Sequence, residues 1–396
     1  MFKPMWILAV LLRPMRLILL GIVIAAVVLG LLYGPWLAAQ GRTVATLATA
    51  YETPVLSWAT QKLTDEPRLV NTTIAGTEVT IVNPAGEGPW HTVLLLNGAT
   101  ADGRFDSNVL QVASGLARVG HRVVIVNSPD PQSGDFTAAS ETEAKRVALA
   151  LSRASQTRDG EVSIVGLGLG GTLALLAAED PRLAPRVPLV FAASPLTDFV
   201  ELGRVATTGF HRTADGFTRY PVPPELLRLT ANVLLDALPA GPPRDLLANE
   251  INSALTASAE DDENNDPFAA LDELPDGLLG PRVQAVVDLL ANDDPEAYDA
   301  LYAELPAAVR DAMERLSPVR GARRLQARVE LATAPNDPLV PFAQAEALEQ
   351  AAPEIRITVS EAFSSTAARP SLGEPGELLS LNALFVRSLY EIRNHE

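Results

Sequence analysis

A glycine-rich turn between an apolar strand and an apolar helix is the stretch of this chain best placed to do chemistry. The turn has the sequence Gly166-Leu167-Gly168-Leu169-Gly170, and a helical pattern begins directly after it. Such a turn either brings backbone N–H groups close to a phosphate or exposes one side chain at its centre as a nucleophile. Here the central residue is Gly168, which has no side chain.

A dinucleotide-binding turn is one interpretation, because these glycines, together with Gly171, nearly fit the pattern G-x-G-x-x-G. However, the turn comes late in the chain, whereas that fingerprint follows the first strand of its domain. About twenty residues further on stands Arg186-Val-Pro-Leu-Val190, without the acidic residue that would bind a ribose hydroxyl. The pattern therefore favours a turn of the nucleophile type, and we expect no cofactor.

Four stretches together resemble the α/β-hydrolase superfamily, over roughly residues 68–392. The glycine turn resembles its nucleophile elbow, G-x-S-x-G, in which the flanking glycines allow a tight turn and an immediate helix start. Three other stretches stand where loops of that superfamily belong: Leu94-Leu-Leu-Asn-Gly-Ala99, Thr333-Ala-Pro-Asn-Asp-Pro-Leu-Val-Pro341 and Val359-Ser-Glu-Ala-Phe-Ser-Ser-Thr-Ala-Ala-Arg-Pro370.

The resemblance implies a role for each of these loops. In the first loop, the backbone N–H near Ala99 would form the oxyanion hole together with that of Leu169. In the second loop, Asp337 matches the acid of the catalytic triad. In the third loop, Ser364 or Ser365 stands where the histidine belongs, and the only later histidine is at the chain end.

The triad positions are thus Gly168, Asp337 and Ser365, so the nucleophile and the base are both missing. Glycine has no atom that can attack a substrate, and serine is not a base near neutral pH. The resemblance implies the fold of a serine hydrolase, and the substitutions predict a pseudoenzyme that binds a ligand or a partner protein in the former active-site cleft. Two alternatives remain: a hydrolase acting on an ester or acyl substrate through a non-standard site, and a structural membrane protein without a functional cleft.

Some of these residues also have simpler interpretations. Asp337 fits the role of a structural acid that caps the turn before Pro338. Ser163 and Ser194 are candidates for a displaced nucleophile, but we expect neither at a strained turn beside a base.

The elements that must position these loops follow an alternating pattern. An N-terminal hairpin is predicted at 69–74 and 77–82, separated by Ala75-Gly76. Apolar strands then alternate with helices, which is typical of a doubly wound, mostly parallel sheet covered on both faces. The predicted strands are 92–96, 122–126, 162–165, 187–192, 328–333 and 356–359, and the predicted helices are 108–118, 140–152, 172–178, 342–351 and 377–392.

The alternation stops between residues 198 and 318, where helices are separated by proline-rich breaks and no strand is predicted. We interpret 198–318 as a helical lid insertion in an α/β-hydrolase-fold domain formed by 68–197 and 319–396. An acidic run within the insertion, from Glu260 to Asp266, resembles a calcium loop. Pro267 occupies the position where that loop requires glycine, so the run predicts a solvated linker.

Residues 17–39 form an uncharged, mostly apolar run near the N-terminus. About 20 apolar residues in a helix are enough to span a bilayer. Lys3, Arg13 and Arg16 precede the run, and Arg42 is the only basic residue close after it. The positive-inside rule then predicts a cytoplasmic N-terminus over 1–16, a transmembrane helix over 17–39, a stalk over 40–67 and a main domain outside the cell.

A cleaved signal peptide is the alternative to this retained anchor, with Ala38 and Ala39 near the cleavage site. The apolar run is longer than a usual h-region of about 7–15 residues, and Leu37 is a poor residue for the −3 position. We therefore expect a single-pass protein of the cell membrane.

Composition excludes several classes of partner and site. The net charge is −17 and the first sixteen residues contribute +3, so the remaining residues carry −20. Such a domain is expected to repel nucleic acid and anionic lipid headgroups. The absence of cysteine excludes disulfides and thiolate chemistry, and the four histidines are not spaced as metal ligands, so we expect no metal site.

Overall fold

The structure of the chain is a computed structural model. It describes residues 64–98, 102–127, 136–213, 215–260, 268, 271, 279–352, 354–364, 384 and 387–388. The predicted segments 1–16 and 17–39 lie outside the described residues, as do nearly all of 40–67, Ala99 and Ser365. In the part of the chain that is described, no helix combines the length and the apolar character needed to cross a bilayer.

An eight-stranded sheet forms the centre of the domain, in the order β1-β2-β4-β3-β5-β6-β9-β10. The β1–β2 and β2–β4 pairs are antiparallel, and the other neighbours are parallel. The predicted hairpin and the mostly parallel sheet are therefore confirmed. The strands are β1 (Arg68–Ile74), β2 (Thr77–Asn83), β3 (Trp90–Leu96), β4 (His121–Val126), β5 (Thr157–Leu167), β6 (Leu189–Ala193), β7 (Phe210–Thr213), β8 (Gly216–Arg219), β9 (Arg328–Thr333) and β10 (Ile355–Val359).

Helices cover both faces of this sheet, which explains why its strands are apolar without alternation. The helices are α1 (Ser107–Arg118), α2 (Ala138–Ser152), α3 (Leu169–Ala178), α4 (Phe199–Thr208), α5 (Pro224–Asp236), α6 (Pro242–Glu260), α7 (Gly280–Leu290), α8 (Tyr298–Glu304), α9 (Ala307–Arg315), α10 (Pro318–Gly321) and α11 (Phe342–Ala351). In β3, Leu94 and Leu96 pack with side chains of α2 and α3, whereas Val93 and Leu95 pack with α1 on the other face. Of the predicted helix 377–392, the described residues 384, 387 and 388 are helical.

Between β6 and β9 the chain forms helices α4 to α10 together with a short hairpin. Strands β7 and β8 pair antiparallel, with Thr213 opposite Gly216. The prediction that this segment contains no strand is therefore wrong. Each of the two strands has only four residues, which is too short for alternation to stand out in the sequence.

A buried arginine fixes the first helix of this insertion against a later one. The side chain of Arg204 in α4 is 2% exposed, and its Nη2 atom lies 2.5 Å from Asp299 Oδ1 in α8. Its Nη1 atom donates to the carbonyl of Pro295 at 2.6 Å, and its guanidinium lies 4.6 Å from the ring centroid of Tyr298. These contacts satisfy a buried charge, so the two helices are joined by a specific geometry rather than by apolar packing alone.

Candidate active-site cleft

The glycine turn has the geometry of a nucleophile elbow. Gly168 lies between β5 and α3, with φ 53° and ψ −124°. Its N–H donates to the carbonyl of Ala193 in β6 at 2.8 Å, and its carbonyl accepts from the N–H of Gly171 at 2.9 Å. The strand therefore turns into the helix within one residue, and that residue has a backbone conformation that L-amino acids rarely adopt.

The flanking glycines are required by close backbone approach. A Cβ atom on Gly166 would lie 2.2 Å from the carbonyl oxygen of Gly170, and a Cβ on Gly170 would lie 2.2 Å from that of Leu96. A Cβ on Gly168 would have no described atom within 4 Å. The turn thus excludes side chains at Gly166 and Gly170, but it leaves room for one at Gly168.

The two predicted oxyanion-hole positions stand next to this turn. Leu169 is the first residue of α3, where backbone N–H groups have no partner within the helix. A Cβ on Gly98, at the end of the loop after β3, would lie 3.1 Å from the carbonyl oxygen of Leu167, so this loop packs closely against the elbow. The structure does not describe Ala99, and the predicted oxyanion hole stays a prediction.

Asp337 lies in the loop after β9, where its buried carboxylate caps a turn. Its Oδ1 atom accepts hydrogen bonds from the N–H of Leu339 at 2.8 Å and of Val340 at 3.1 Å. Its backbone carbonyl accepts a hydrogen bond from the hydroxyl of Tyr220, which belongs to the insertion. Burial, followed by the negative charge of Asp337, raises the pKa of Tyr220 above its usual value, so this hydroxyl stays a donor. The interpretation of Asp337 as a turn-capping acid agrees with this geometry.

Ser194 lies beside Gly168, although no pattern in the sequence indicates this. Leu167 pairs with Ala193 in the sheet, so the next residues of the two strands are neighbours. Ser194 has a positive φ of 44°, which is uncommon for a residue with a side chain. Ser194 is therefore strained, but the expectation concerned a strained turn beside a base, and the described contacts of Ser194 do not contradict it. Its hydroxyl donates to the carbonyl of Phe363 at 2.6 Å, which is not a base.

The loop after β10 reaches the same end of the sheet. The N–H of Ser360 donates to the carbonyl of Thr333 at 2.9 Å, and the ring of Phe363 lies 6.2 Å from that of Phe191 in β6. Ser364 is half-buried, and its N–H donates to the carbonyl of Glu361. Ser365 follows directly but lies outside the described residues, so the predicted position of the missing base is not located.

The histidines of the described segments are distributed over both ends of the sheet. His91 is the second residue of β3 and His121 is the first residue of β4, both at the amino end. His211 lies in the insertion, where its ring packs edge-on against Tyr220 with 6.3 Å between centroids. Through Tyr220, His211 is connected to the loop of Asp337 at the carboxyl end.

The strand order, the helices on both faces and the tight turn after β5 together define an α/β-hydrolase fold. Three loops at the carboxyl end converge on the turn, and the turn bears a hydrogen where a hydrolase of this fold has its attacking side chain. The sequence-based resemblance to this superfamily is therefore confirmed at the level of the fold.

No protein-family model matches the sequence, and no curated protein is significantly similar to it. The chain is similar to the solved structure of an acylaminoacyl peptidase from Pyrococcus horikoshii, with 13% identity, a TM-score of 0.48 and coverage of 87% of this chain and 45% of that chain. It is also similar to Est1E from Butyrivibrio proteoclasticus, with 10% identity, a TM-score of 0.44 and coverage of 83% of this chain and 99% of that chain.

The lengths of these proteins differ. The chain spans 41% and 43% of the length of two acylaminoacyl peptidase structures that it matches, but 91% of the length of an esterase from Pyrococcus furiosus. The esterase is 10% identical, with a TM-score of 0.42 and coverage of 82% of this chain. These similarities assign no substrate or activity to this chain.

Proposed function

We propose that this chain is a membrane-anchored, non-hydrolytic protein of the α/β-hydrolase fold, which binds a ligand or a partner protein in the former active-site cleft. The observation that carries the proposal is the elbow itself. Its flanking glycines are required by backbone contacts, while the central position has room for a side chain and holds Gly168. Covalent catalysis needs a nucleophilic atom at this position, and glycine has none.

The other polar groups of the former site have structural roles, which argues against bond cleavage. The carboxylate of Asp337 accepts backbone N–H bonds in its own loop. A carboxylate used in this way stabilises a turn whether or not a histidine stands beside it. The hydroxyl of Tyr220 connects this loop to the insertion, which in this proposal covers the cleft as a lid.

Membrane anchoring is proposed on the sequence. The run 17–39 is long enough to span a bilayer, and the basic residues before it favour a cytoplasmic N-terminus. The hydrolase-fold domain would then be displayed outside the cell, joined to the helix by the segment 40–67.

An unusual hydrolase is the second candidate, and two observations favour it. Ser194 lies beside the elbow with a positive φ, and His211 in the insertion is connected through Tyr220 to the loop of Asp337. Strained backbone at a carboxyl-end loop is a recurrent feature of active sites. In this alternative, Ser194 would replace the missing nucleophile.

Labelling with a fluorophosphonate separates the two candidates. The full-length chain in detergent is treated with the probe and digested, and the peptides are analysed by mass spectrometry. We expect no adduct, because the hydroxyl of Ser194, the serine beside the elbow, donates to a backbone carbonyl rather than to a base. An adduct on Ser194 that disappears in Ser194→Ala and in His211→Ala would replace our proposal with the second candidate.

Restoring the missing groups tests whether the scaffold is otherwise complete. Gly168→Ser and Ser365→His are prepared singly and together, and hydrolysis of a short-chain nitrophenyl ester is measured. We expect activity above background only in the double variant, because a nucleophile and a base must act together. Gly168→Ala with Ser365→His is the matched control. Hydrolysis by the unmodified chain that survives Ser194→Ala would contradict a binding role.

A further inference from the structure

The negative charge of this protein is concentrated in one part of the fold. Residues 198–318 contain 23 acidic and 8 basic side chains, a net charge of −15 out of the −20 carried by residues 17–396. This insertion follows the carboxyl end of β6, and its Tyr220 reaches the carboxyl-end loop of Asp337. The segment that follows the carboxyl end of β6 is therefore strongly acidic.

The amino end of the same sheet has the opposite character. We use the name basic end face for five arginines at this end: Arg68, Arg118, Arg153, Arg158 and Arg186. None of them belongs to an ion pair among the described residues. All except Arg118, which is half-buried, are exposed. The four exposed guanidinium groups are therefore accessible to an anionic partner, whereas that of Arg118 donates to Thr64 and Asp65.

Three of these arginines form one cluster. The Nη1 atom of Arg158 lies 3.0 Å from His91 Nε2 at the start of β3. A Cβ atom on Gly160 would lie 3.1 Å from the Nη1 atom of Arg186 and 2.9 Å from the carbonyl of Ser152, the last residue of α2. Arg153 follows Ser152 directly, so the three side chains emerge from adjacent positions on the surface.

The remaining two arginines of the basic end face, Arg68 and Arg118, lie near the point where the chain enters the domain. Arg118 donates from Nη1 to the hydroxyl of Thr64 at 3.1 Å and to the carbonyl of Asp65 at 3.3 Å. Arg68 begins β1 and is followed by Leu69 and Val70, whose side chains are 53% and 46% exposed. Thr64 is the first described residue, so the preceding segment, with the apolar run 17–39, joins the domain at this end.

We infer that the basic end face lies against the membrane and binds anionic lipid headgroups, so that the cleft and the acidic insertion point away from the bilayer. This inference rests on the proposed membrane anchoring. Membrane-surface binding combines exposed apolar side chains with cationic ones, and this end supplies both. The net charge of the whole domain predicts repulsion from anionic lipid, but charges farther apart than about 8 Å are largely screened at physiological ionic strength. The local arginines therefore act on the lipid while the distant insertion does not.

Acidic side chains also stand at this end, so the attraction depends on the cluster of three arginines rather than on the whole face. Asp65, Glu66, Glu87, Asp159 and Glu161 share the amino end with the basic end face. Only Asp159 and Glu161 stand on the strand that carries Arg158, in the cluster of three arginines. The cluster of Arg153, Arg158 and Arg186 is therefore the part of the face that contacts phosphate groups.

The proposed orientation has a consequence for the ligand. A cleft that opens away from the bilayer takes its ligand or partner from the medium rather than from the lipid phase. Because the insertion beside the cleft carries −15, anionic molecules are disfavoured there and neutral or cationic ones are favoured.

Energy transfer to a labelled lipid tests this orientation, and the absence of cysteine allows clean single-site labelling. Ser155→Cys places a fluorophore between Arg153 and Arg158, and Ala300→Cys places it in α8 of the insertion; both positions are exposed. The full-length chain is reconstituted in vesicles of phosphatidylcholine, with or without phosphatidylglycerol, that contain a headgroup-labelled acceptor. We expect strong transfer from position 155 and weak transfer from position 300, with the larger difference in the anionic vesicles.

Charge reversal identifies the groups responsible. In the anionic vesicles, the triple variant Arg153→Glu, Arg158→Glu and Arg186→Glu should lower transfer from position 155 by about twofold or more. The reason is that each basic side chain near an anionic membrane surface is attracted to that surface. The matched control reverses Arg219, Arg228 and Arg282, which lie in the insertion, and should leave transfer unchanged. Equal transfer from both positions, or the same loss in both triple variants, would overturn the inference.

An alkaline carbonate wash separates this inference from the anchoring on which it rests. Release of the chain by the wash would refute the anchor. Cosedimentation of the same chain with anionic vesicles would then still test whether the basic end face binds anionic lipid. Binding that is abolished by the first triple variant and not by its control would support the basic end face without an anchor.

Discussion

The two ends of the central sheet differ in what holds them together. At the carboxyl end, the polar groups around Gly168 are bonded into the backbone: the carboxylate of Asp337 caps a turn, and the hydroxyl of Ser194 donates to a carbonyl. At the amino end, charged side chains meet each other or solvent, as in the pair of Glu179 and Arg324. The carboxyl end is therefore defined by backbone geometry and the amino end by side-chain charge.

This difference explains why the fold can retain the elbow turn when the nucleophile is absent. Gly166 and Gly170 are required because the backbones of β3, β5 and α3 approach each other there. Gly168 is under no such packing constraint, so its identity affects reactivity far more than it affects the fold. Fold and function are thus separable within five consecutive residues.

The largest effect is expected when a side chain is added at a flanking glycine. Gly170→Ala would place Cβ 2.2 Å from the backbone oxygen of Leu96, so β3 or α3 must move. We expect a loss of about 3 kcal/mol or more in the free energy of unfolding, as for severe overpacking. Urea unfolding of the full-length chain in detergent, followed by circular dichroism, measures it.

Gly168→Ala is the matched control for this variant. Its Cβ meets no described atom within 4 Å, so the main cost is the strained backbone conformation at φ 53° and ψ −124°, about 1–3 kcal/mol. If both alanine variants lost the same stability, the distinction between required and replaceable glycines would be wrong.

A smaller, pH-dependent effect is expected at the amino end. Burial raises the pKa of Glu179 to about 7, against a smaller opposing effect of its hydrogen bond to Arg324. A raised pKa means that the folded state holds the proton more tightly, so this contribution to stability is present below pH 4.5 and is lost as the pH rises through about 7.

Glu179→Gln should remove this dependence. Between about pH 5 and about pH 8, the unmodified chain should lose on the order of 2 kcal/mol relative to the variant. Unfolding midpoints across this range measure the difference, and Glu87→Gln, at an exposed position, is the control. Parallel pH profiles for the unmodified chain and Glu179→Gln would show that the carboxylate is not buried as described.

The smallest effect is expected at the turn of Asp337. Asp337→Ala leaves the N–H groups of Leu339 and Val340 without their acceptor, at a cost of about 1–2 kcal/mol. Asp337→Asn keeps an acceptor oxygen and should cost about half as much or less. Urea unfolding distinguishes them, and equal losses would indicate that the negative charge matters beyond capping.

Local patterns were sufficient to predict most of the elements. The alternation of apolar strands and helices predicts the parallel sheet, and the glycine spacing predicts the turn after β5, because both depend on neighbours in sequence. The hairpin of β7 and β8 was missed because two strands of four residues carry too little periodicity. Strand β5 begins at Thr157, earlier than predicted, because Asp159 and Gly160 interrupt the apolar pattern of the strand. Both residues have positive φ angles.

The amino-acid sequence by itself determined that the elbow has no nucleophile, that the chain carries an uncharged run of membrane-spanning length, and that most of the negative charge lies in one insertion. These follow from residue identity and order. Only the tertiary structure decided that Ser194 lies beside Gly168, that Arg158 and Arg186 belong to one surface, and that the carboxylate of Glu179 is buried. Those properties depend on contacts between residues far apart in the chain, which no local pattern records.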